Sequence, residues 1–536
     1  MQLQTIQLKE SPSSLTYGIK YSNRVDLTSE VRTKIALIAN YGNNYGRITR
    51  LSARFNVSRT TVYAFRDQLR ASIGATFSSK ARVVESPDVL REATIRQILL
   101  LRLTGQSKLD AISTILAHNG HSRNSIGFIS QILQAIGDKL PQVIDSLNSL
   151  NSLNSLDSLD SLNWACDEIY YSGKVPILVT IEPISGAVLQ IEIATKPLKE
   201  AWLDHWQNLK AKGIHPLCLI SDEGWMLRAA RLEQANWDFQ PDTFHAVSHR
   251  LGIFAKRFEK SAYVAIEAEY EREALCLNTQ KPNQLPLYKE QLEQRQQETL
   301  KALTLQSNFK FLYHCLLQQF NVFDIHGLPR KRAFAEAEVK CAIDLMRTLE
   351  IPSLNKELTF IEKLLPDLFN FLDKAADTYQ KIIDSNICPI CSAQLIPFWA
   401  MAWQYDKRSF KVKNNYAYQK KLREISKQFL IDLKQELDGN LDDFNILQAT
   451  IFALFDAIIQ SSAPVEMFNS ILRPFLNQSR DQLSQQALNL IMDFYNHHTF
   501  KRGKRKGKSP LEILTGQKKD IPWLDKIIDL VRCNNI

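Results

Sequence analysis

The sequence predicts an α/β core, a mixed sheet flanked by helices, joined to all-α N-terminal units and interrupted by a large all-α insertion. Three observations carry that prediction. Residues 164–250 alternate short apolar strand runs with amphipathic helices. Residues 47–70 and 106–136 each read as two short helices about a tight turn. Residues 255–460 are a long succession of charged and amphipathic helix patterns. With 536 residues the chain is too long for one compact core, and two to four domains are expected.

The elements come in order along the chain. In "RITRLSARFNVSRTTVYAFRDQLR", Leu51, Phe55, Val57, Val62, Phe65 and Leu69 form a shared core and Ser58 caps the second helix. Arg59, Thr60 and Tyr63 then face outward, where a recognition helix meets base edges. The unit is expected over 1–80. A second, helix-turn-helix-like unit is expected over 81–145, with Gly120 in the turn, Ser122 as cap, and Arg123 and Asn124 in the exposed first turn. Residues 146–163 repeat a Ser-Leu-Asn/Asp triplet six times, a period that suits neither helix nor strand, and are expected to be a linker.

Strands are predicted at "WACDEIYY", "VPILVTIEP" and "AVLQIEIAT". A helix, "KEAWLDHWQNLKAKG", is stopped by Gly213, and "HPLCLIS" reads as a buried central strand. A helix, a short segment "WDFQPD" and a helix from near Thr243 complete a βββαβαβα order. That is the ribonuclease H-like order, expected over 164–254 and 461–500 with 255–460 as the helical insertion. Residues 501–536 are expected to form a basic C-terminal tail.

Lys and Arg number 66 against 57 Asp and Glu, a net charge of +9 that suggests a polyanionic partner, most simply nucleic acid. The N-terminal residues lack a signal-peptide core, and no run of 18 apolar residues exists to span a membrane. Eight scattered cysteines make no disulfide framework, so a reduced, cytoplasmic protein is expected. Cys388 and Cys391 have zinc-ligand spacing without a second pair, and an ordinary turn is the expectation there. The stretch 398–423 interleaves aromatics with Lys and Arg, which suits either a DNA grip or a solvated helix pair.

Three acids occupy telling positions. Asp167 lies in the first predicted strand, Asp222 just past the central one, and Glu466 begins the helix after the insertion. In this sheet order the first and central strands are neighbours, so Asp167 and Asp222 should meet. Acids side by side repel unless a divalent cation sits between them. The bland alternatives are Glu168 in place of Asp167, Asp222 as a helix cap, and Glu466 at the positive end of its helix dipole. His245 reads as a core histidine or a supporting group. Asn469 and Arg473, at i+3 and i+7 from Glu466, share its face.

These motifs resemble the DDE transposase and retroviral integrase superfamily. "ACDEIYYSGKVPILVTIEPISGAVLQIEIA" is similar to the first-Asp hairpin of bacterial insertion-sequence transposases, and "LCLISDEGWMLRAAR" to their second-Asp strand. "SSAPVEMFNSILRPFL" resembles the third-acid helix, and "FYNHHTFKRGKRKGKSPLEIL" their C-terminal signature. The resemblance covers 164–258 and 461–514 and implies Asp167, Asp222 and Glu466 as catalytic, metal-binding acids for two Mg²⁺ or Mn²⁺ ions. It implies a DNA transposase that cleaves element ends and joins them to target DNA, acting on double-stranded DNA as a homo-oligomer, with no small-molecule substrate. Arg473 and the basic run Lys501, Arg502, Lys504 and Arg505 are expected to contact DNA, with His245 and Asn469 supporting. The chain departs from the pattern twice. The acids are 55 and 244 residues apart, the second gap being far longer than in compact integrases. Asp242 replaces the cysteine of a Cys-x-x-His found in related families, while His245 matches its histidine. The rival readings are a non-catalytic, transposase-derived DNA-binding protein and a structure-selective nuclease.

Overall fold

The computed structural model describes residues 26–41, 46–77, 87–140, 161–171, 175–222, 224–234, 237–384, 393–412, 414–437, 441–479, 483–503, 505–518 and 521–534. The chain divides into two compact units, Met1–Leu90 and Arg91–Ile536. Cys388, Cys391 and most of the triplet repeat lie outside the described residues.

The first unit holds helices α1 (Ser29–Asn40), α2 (Arg47–Phe55) and α3 (Arg59–Phe77). Between α2 and α3, Asn56 adopts a left-handed φ of 45°, a conformation its short polar side chain tolerates. The Ser58 hydroxyl then accepts the Thr61 N–H at 3.0 Å, capping α3 as the sequence predicts. Leu51, Val62 and Phe65 are buried with Ile35, and Phe55, Val57 and Leu69 pack at the edge of that core.

Helix α4 (Pro87–Leu99) crosses the boundary at Leu90, and in the second unit it leads through a π-turn to α5 (Leu109–His118) and α6 (Ile126–Lys139). Gly120, with φ of 82°, makes the turn between the last two. The cap of α6 is Ser125, not Ser122: its side chain accepts the Phe128 N–H at 3.2 Å. Arg123 and Asn124 therefore precede the helix instead of occupying its first turn. The described apolar residues of the segment pack in a core shared with the sheet. Ile112, Leu116, Ile129, Leu133 and Ile136 share one apolar cluster with Ala165, Val179 and Ile220 of the sheet.

The sheet has five strands: β1 (Ser161–Tyr171), β2 (Val175–Ile181), β3 (Val188–Ile193), β4 (His215–Ser221) and β5 (Phe239–Pro241). Their order is β3-β2-β1-β4-β5. The first three are antiparallel, and β1, β4 and β5 run parallel. The last triplet of the repeat belongs to β1, not to the linker: Ser161, Leu162 and Asn163 pair with His215, Pro216 and Cys218. Pairing in the sheet overrides the unfavourable period of three.

Period-two alternation sends Trp164 and Cys166 to one face, against α7 (Leu198–Ala211) and α8 (Trp225–Arg231), and Ala165 and Ile169 to the other. Gly213, with φ of 86°, terminates the turn after α7. Trp164, Trp202 and Trp206 are under 2% exposed. A buried aromatic of this size removes about 150–250 Å² from water, roughly 4–6 kcal/mol each.

A second π-turn, Phe244–His249, opens the insertion and continues into α9 (Arg250–Asn278), which packs along α10 (Leu285–Gln318) after a short Pro282–Gln284 turn. Six further helices complete it: α11 (Arg332–Arg347), α12 (Pro352–Leu368), α13 (Asn370–Asp384), α14 (Ile396–Lys411), α15 (Tyr416–Glu436) and α16 (Leu441–Asp456). Together they enclose a second apolar core. Trp399 and Trp403 of the basic, aromatic stretch are buried in it, so these rings are structural. The insertion covers the edge of β5: Gln240 donates to the Leu368 carbonyl and accepts the Phe371 N–H, and Asn370 donates to the Phe239 carbonyl.

The chain returns through α17 (Ala463–Ser479) and α18 (Gln485–His497), which cover the second face of the sheet. Two described helices beyond α18 pack onto this unit. Helix α19 (Pro510–Thr515) carries a Ser509/Glu512 capping box and buries Leu511 beside Trp202. Helix α20 (Trp523–Asn534) buries Ile527, Ile528 and Val531. Its Asp525 and Arg532 pair with Arg96 and Glu92. Among the described residues, no helix is long and apolar enough to cross a membrane.

Candidate functional site: an acidic cluster at the β1–β4 edge

The β1–β4 ladder ends at the pair Cys166↔Ser221. The next residues, Asp167 and Asp222, step off the last rung of adjacent parallel strands, as the sheet order requires. One carboxylate oxygen each of Asp167, Glu168 and Asp222 lies within 4.8 Å of the others. Alternation along β1 sends Asp167 toward α17 and Glu168 toward α7. Accordingly Asn469 donates to Asp167 Oδ2 at 2.7 Å, and the Trp202 indole donates to Glu168 Oε1 at 3.4 Å. Gly224 closes the third side. Its N–H donates to Asp222 Oδ1 at 3.2 Å, and a Cβ there would stand 3.2 Å from Asp222 Oδ1 and 3.4 Å from Glu168 Oε2.

Crowding of like charges away from water has an electrostatic consequence. Burial, reinforced by the charges of Asp222, Glu466 and Glu168, pushes Asp167 up to about 8. Burial and Asp222 push Glu168 up to about 7. Such a cluster is balanced by protons or by a bound cation.

Glu466 sits in the first turn of α17, half exposed, with Oε1 3.5 Å from His245 Nε2. Asn469, one turn on along α17, touches Asp167, so the helix brings Glu466 to the rim of the cluster, where its charge helps raise Asp167. Glu466 is not one of the three acids whose oxygens converge; Glu168 holds that place. The sequence offers Glu168 as an alternative to Asp167; the structure brings both to the cluster. Only the loss of β4 pairing beyond Cys166 lets both carboxylates reach one point. Asn469, 1% exposed, is the residue of α17 that touches Asp167 directly, and Arg473 is exposed one turn further on.

Asp242 joins this site to the insertion. Its Oδ1 accepts the Phe244 and His245 N–H groups at 2.7 and 3.0 Å, and its Oδ2 accepts Ser462 N and Oγ at 2.7 and 2.6 Å. One buried carboxylate thus fixes both the turn that carries His245 and the entry to the helix that carries Glu466. Beside the acids lies a cleft of about 740 Å³, lined by Asp222, His245, His249, Arg250, Lys356 and Phe360 among others.

The remaining predicted contacts fall into two groups. Arg59, Thr60 and Tyr63 stand exposed on the first turns of α3. Arg123 is exposed beside the Phe128 ring, whereas Asn124 donates to the His121 carbonyl. Lys501 and Arg502 are exposed, and Lys504 lies outside the described residues. Arg505 differs from expectation: its guanidinium donates to the Pro183 and Ile184 carbonyls, and burial lowers its pKa. It anchors a closed loop in which Phe500 N–H donates to Lys508 O and Gly507 N–H to Phe500 O. No protein-family model and no curated protein sequence matches the chain.

Proposed function

We propose that the protein is a metal-dependent DNA transposase whose ribonuclease H-like core cuts and joins DNA strands at the Asp167/Glu168/Asp222 cluster. The observation that carries this reading is the convergence of those carboxylates at the ends of adjacent parallel strands. The sheet order and the helices on both faces agree with it.

The donor set fits a small hard dication: all-oxygen ligands, partly buried and mutually repelling. Asp167, Glu168 and Asp222 would hold it, with Glu466 at the rim toward a second ion. Bound Mg²⁺ or Mn²⁺ supplies Lewis acidity toward the phosphoryl group. The chain's own residues do the positioning. Asn469 orients Asp167, and His245 steadies Glu466. Lys356, exposed beside the Arg250–Glu357 ion pair, offers the adjoining cleft a cation for a phosphate group. The helix-turn-helix of the first unit offers Arg59, Thr60 and Tyr63 to base edges, which suits recognition of specific DNA ends.

The test is Mg²⁺-dependent nicking and strand joining of double-stranded DNA carrying the flanking sequences of the gene. Wild type should cut, and Asp222→Asn should abolish cutting while leaving DNA binding intact. Cutting that survives Asp222→Asn removes the assigned centre.

A further inference from the structure

The basic, aromatic stretch of the insertion splits into two sets of rings. Trp399 and Trp403 are buried, whereas Phe410 and Tyr416, on either side of the turn between α14 and α15, are 47% and 77% exposed. Residues 405–427 also hold eight Lys or Arg against two acids, so this short stretch carries +6 of the chain's net +9.

The turn is fixed by its own polar groups. Asn415 caps α15 by accepting the Tyr418 N–H at 3.0 Å, and Asn414 takes a left-handed φ of 63°. The Ser409 carbonyl accepts Gln419 Nε2 at 3.1 Å, and the buried Ser426 hydroxyl donates to the Ala402 carbonyl at 2.7 Å. Arg423 lies 5.4 Å from the Phe410 ring centroid, so guanidinium and ring are presented together. Tyr416, Lys420, Arg423 and Lys427 recur at four-, three- and four-residue spacing and form one exposed stripe about 16 Å long. Lys420 meets Glu424 at 3.7 Å; among the described residues, no acid pairs with Arg423 or Lys427.

A row of cations matches a phosphate backbone of any form. Exposed rings select further, because a base offers its π-face only when it is outside a duplex. We propose that the α14–α15 turn is a binding surface for single-stranded DNA. Phosphates follow Lys420, Arg423 and Lys427, and unpaired bases stack on Tyr416 and Phe410. That the strand is DNA rests on the proposed function; the surface itself uses neither the acidic cluster nor the helix-turn-helix residues.

The test is fluorescence anisotropy of the full chain with labelled oligo(dT), without divalent metal, against a duplex of the same length. Wild type should bind the oligo(dT). Tyr416→Ala and Phe410→Ala should each weaken that binding about 5- to 150-fold while duplex binding changes less than about twofold. Tyr416→Phe, which keeps the ring, should bind like wild type. Lys420→Gln/Arg423→Gln/Lys427→Gln should reduce the salt slope for the single strand by about two. Thermal melting of each variant checks folding independently. Folded alanine variants that bind oligo(dT) like wild type overturn the proposal, as does an equal loss of single strand and duplex. Tighter ring-dependent binding of oligo(U) would assign the surface to RNA and also overturn it. Asp222→Asn should bind oligo(dT) like wild type, so a chain that never nicks DNA yet shows ring-dependent binding loses the proposed function and keeps this surface.

Discussion

Replacing Asp242 should unfasten the site without touching any of its acids. The side chain is 1% exposed and accepts four hydrogen bonds at 2.6–3.0 Å, two from the turn that carries His245 and two from Ser462. A hydrogen bond to a charged acceptor contributes about 1.5–3 kcal/mol, but bonds sharing one carboxylate are not additive. Removing the shared acceptor strands four donors, for which about 3–5 kcal/mol is the expected loss for Asp242→Ala. Asp242→Asn keeps one oxygen for Phe244 and His245 but turns an amide N–H₂ toward Ser462, and should lose about 2–3 kcal/mol. Ser462→Ala removes one donor and should lose about 1 kcal/mol. The thermal midpoints should therefore fall in the order Asp242→Ala, Asp242→Asn, Ser462→Ala, with Asp242→Ala lowest. DNA cleavage, measured well below those midpoints, should fall with them, because a shift of about 1 Å at the start of α17 can cost roughly 100-fold in rate. An Asp242→Ala protein as stable as Ser462→Ala, or cutting at the wild-type rate, would refute the clamp.

The same contacts yield other outcomes. Asp167 and Glu168, raised to about 8 and 7 by burial first and then by neighbouring acids, stabilise the fold fully below their unfolded values near 4. That stability is lost as pH rises through about 7–8, so Mg²⁺ should raise the melting midpoint more at pH near 8.5 than near 6; an equal rise at both would count against a metal site there. Gly137→Ala would place a Cβ 2.2 Å from the Gln486 carbonyl oxygen and should destabilise by about 1–3 kcal/mol in a melting assay; an unchanged midpoint would refute the close packing of α6 on α18. Arg505→Ala should lower stability by about 1–2 kcal/mol. Lys501→Ala with Arg502→Ala should leave stability unchanged and reduce the salt slope of DNA binding by up to about two contacts.

Much of this architecture is legible in the residues. β4 occupies the seven positions of "HPLCLIS", and its run Cys218, Leu219 and Ile220 is apolar because a central strand is covered on both faces there, while His215 and Leu217 at its start are exposed. The α3 cap at Ser58 and the turn at Gly213 were readable because a cap and a positive φ are local demands. Asp167 and Asp222 were findable because strand order alone makes them neighbours. Ser122 misled because two serines stand three residues apart, and which one caps depends on where the helix packs. The sequence sets Glu168 against Asp167 as alternatives, and only the fold shows that both carboxylates reach one point, where β4 pairing has ended.

The sequence alone determines the strand and helix periods, the glycine turns at Gly120 and Gly213, the excess of positive charge and the identity of the available acids. Each of these is encoded within a few residues of itself. Tertiary structure decides what meets across hundreds of positions: Asn469 on Asp167, Ser462 on Asp242, Arg505 on the β2–β3 turn, and the second helical pair on the sheet. Those contacts depend on which faces are buried together and how their polar groups are satisfied, and no local pattern carries that information.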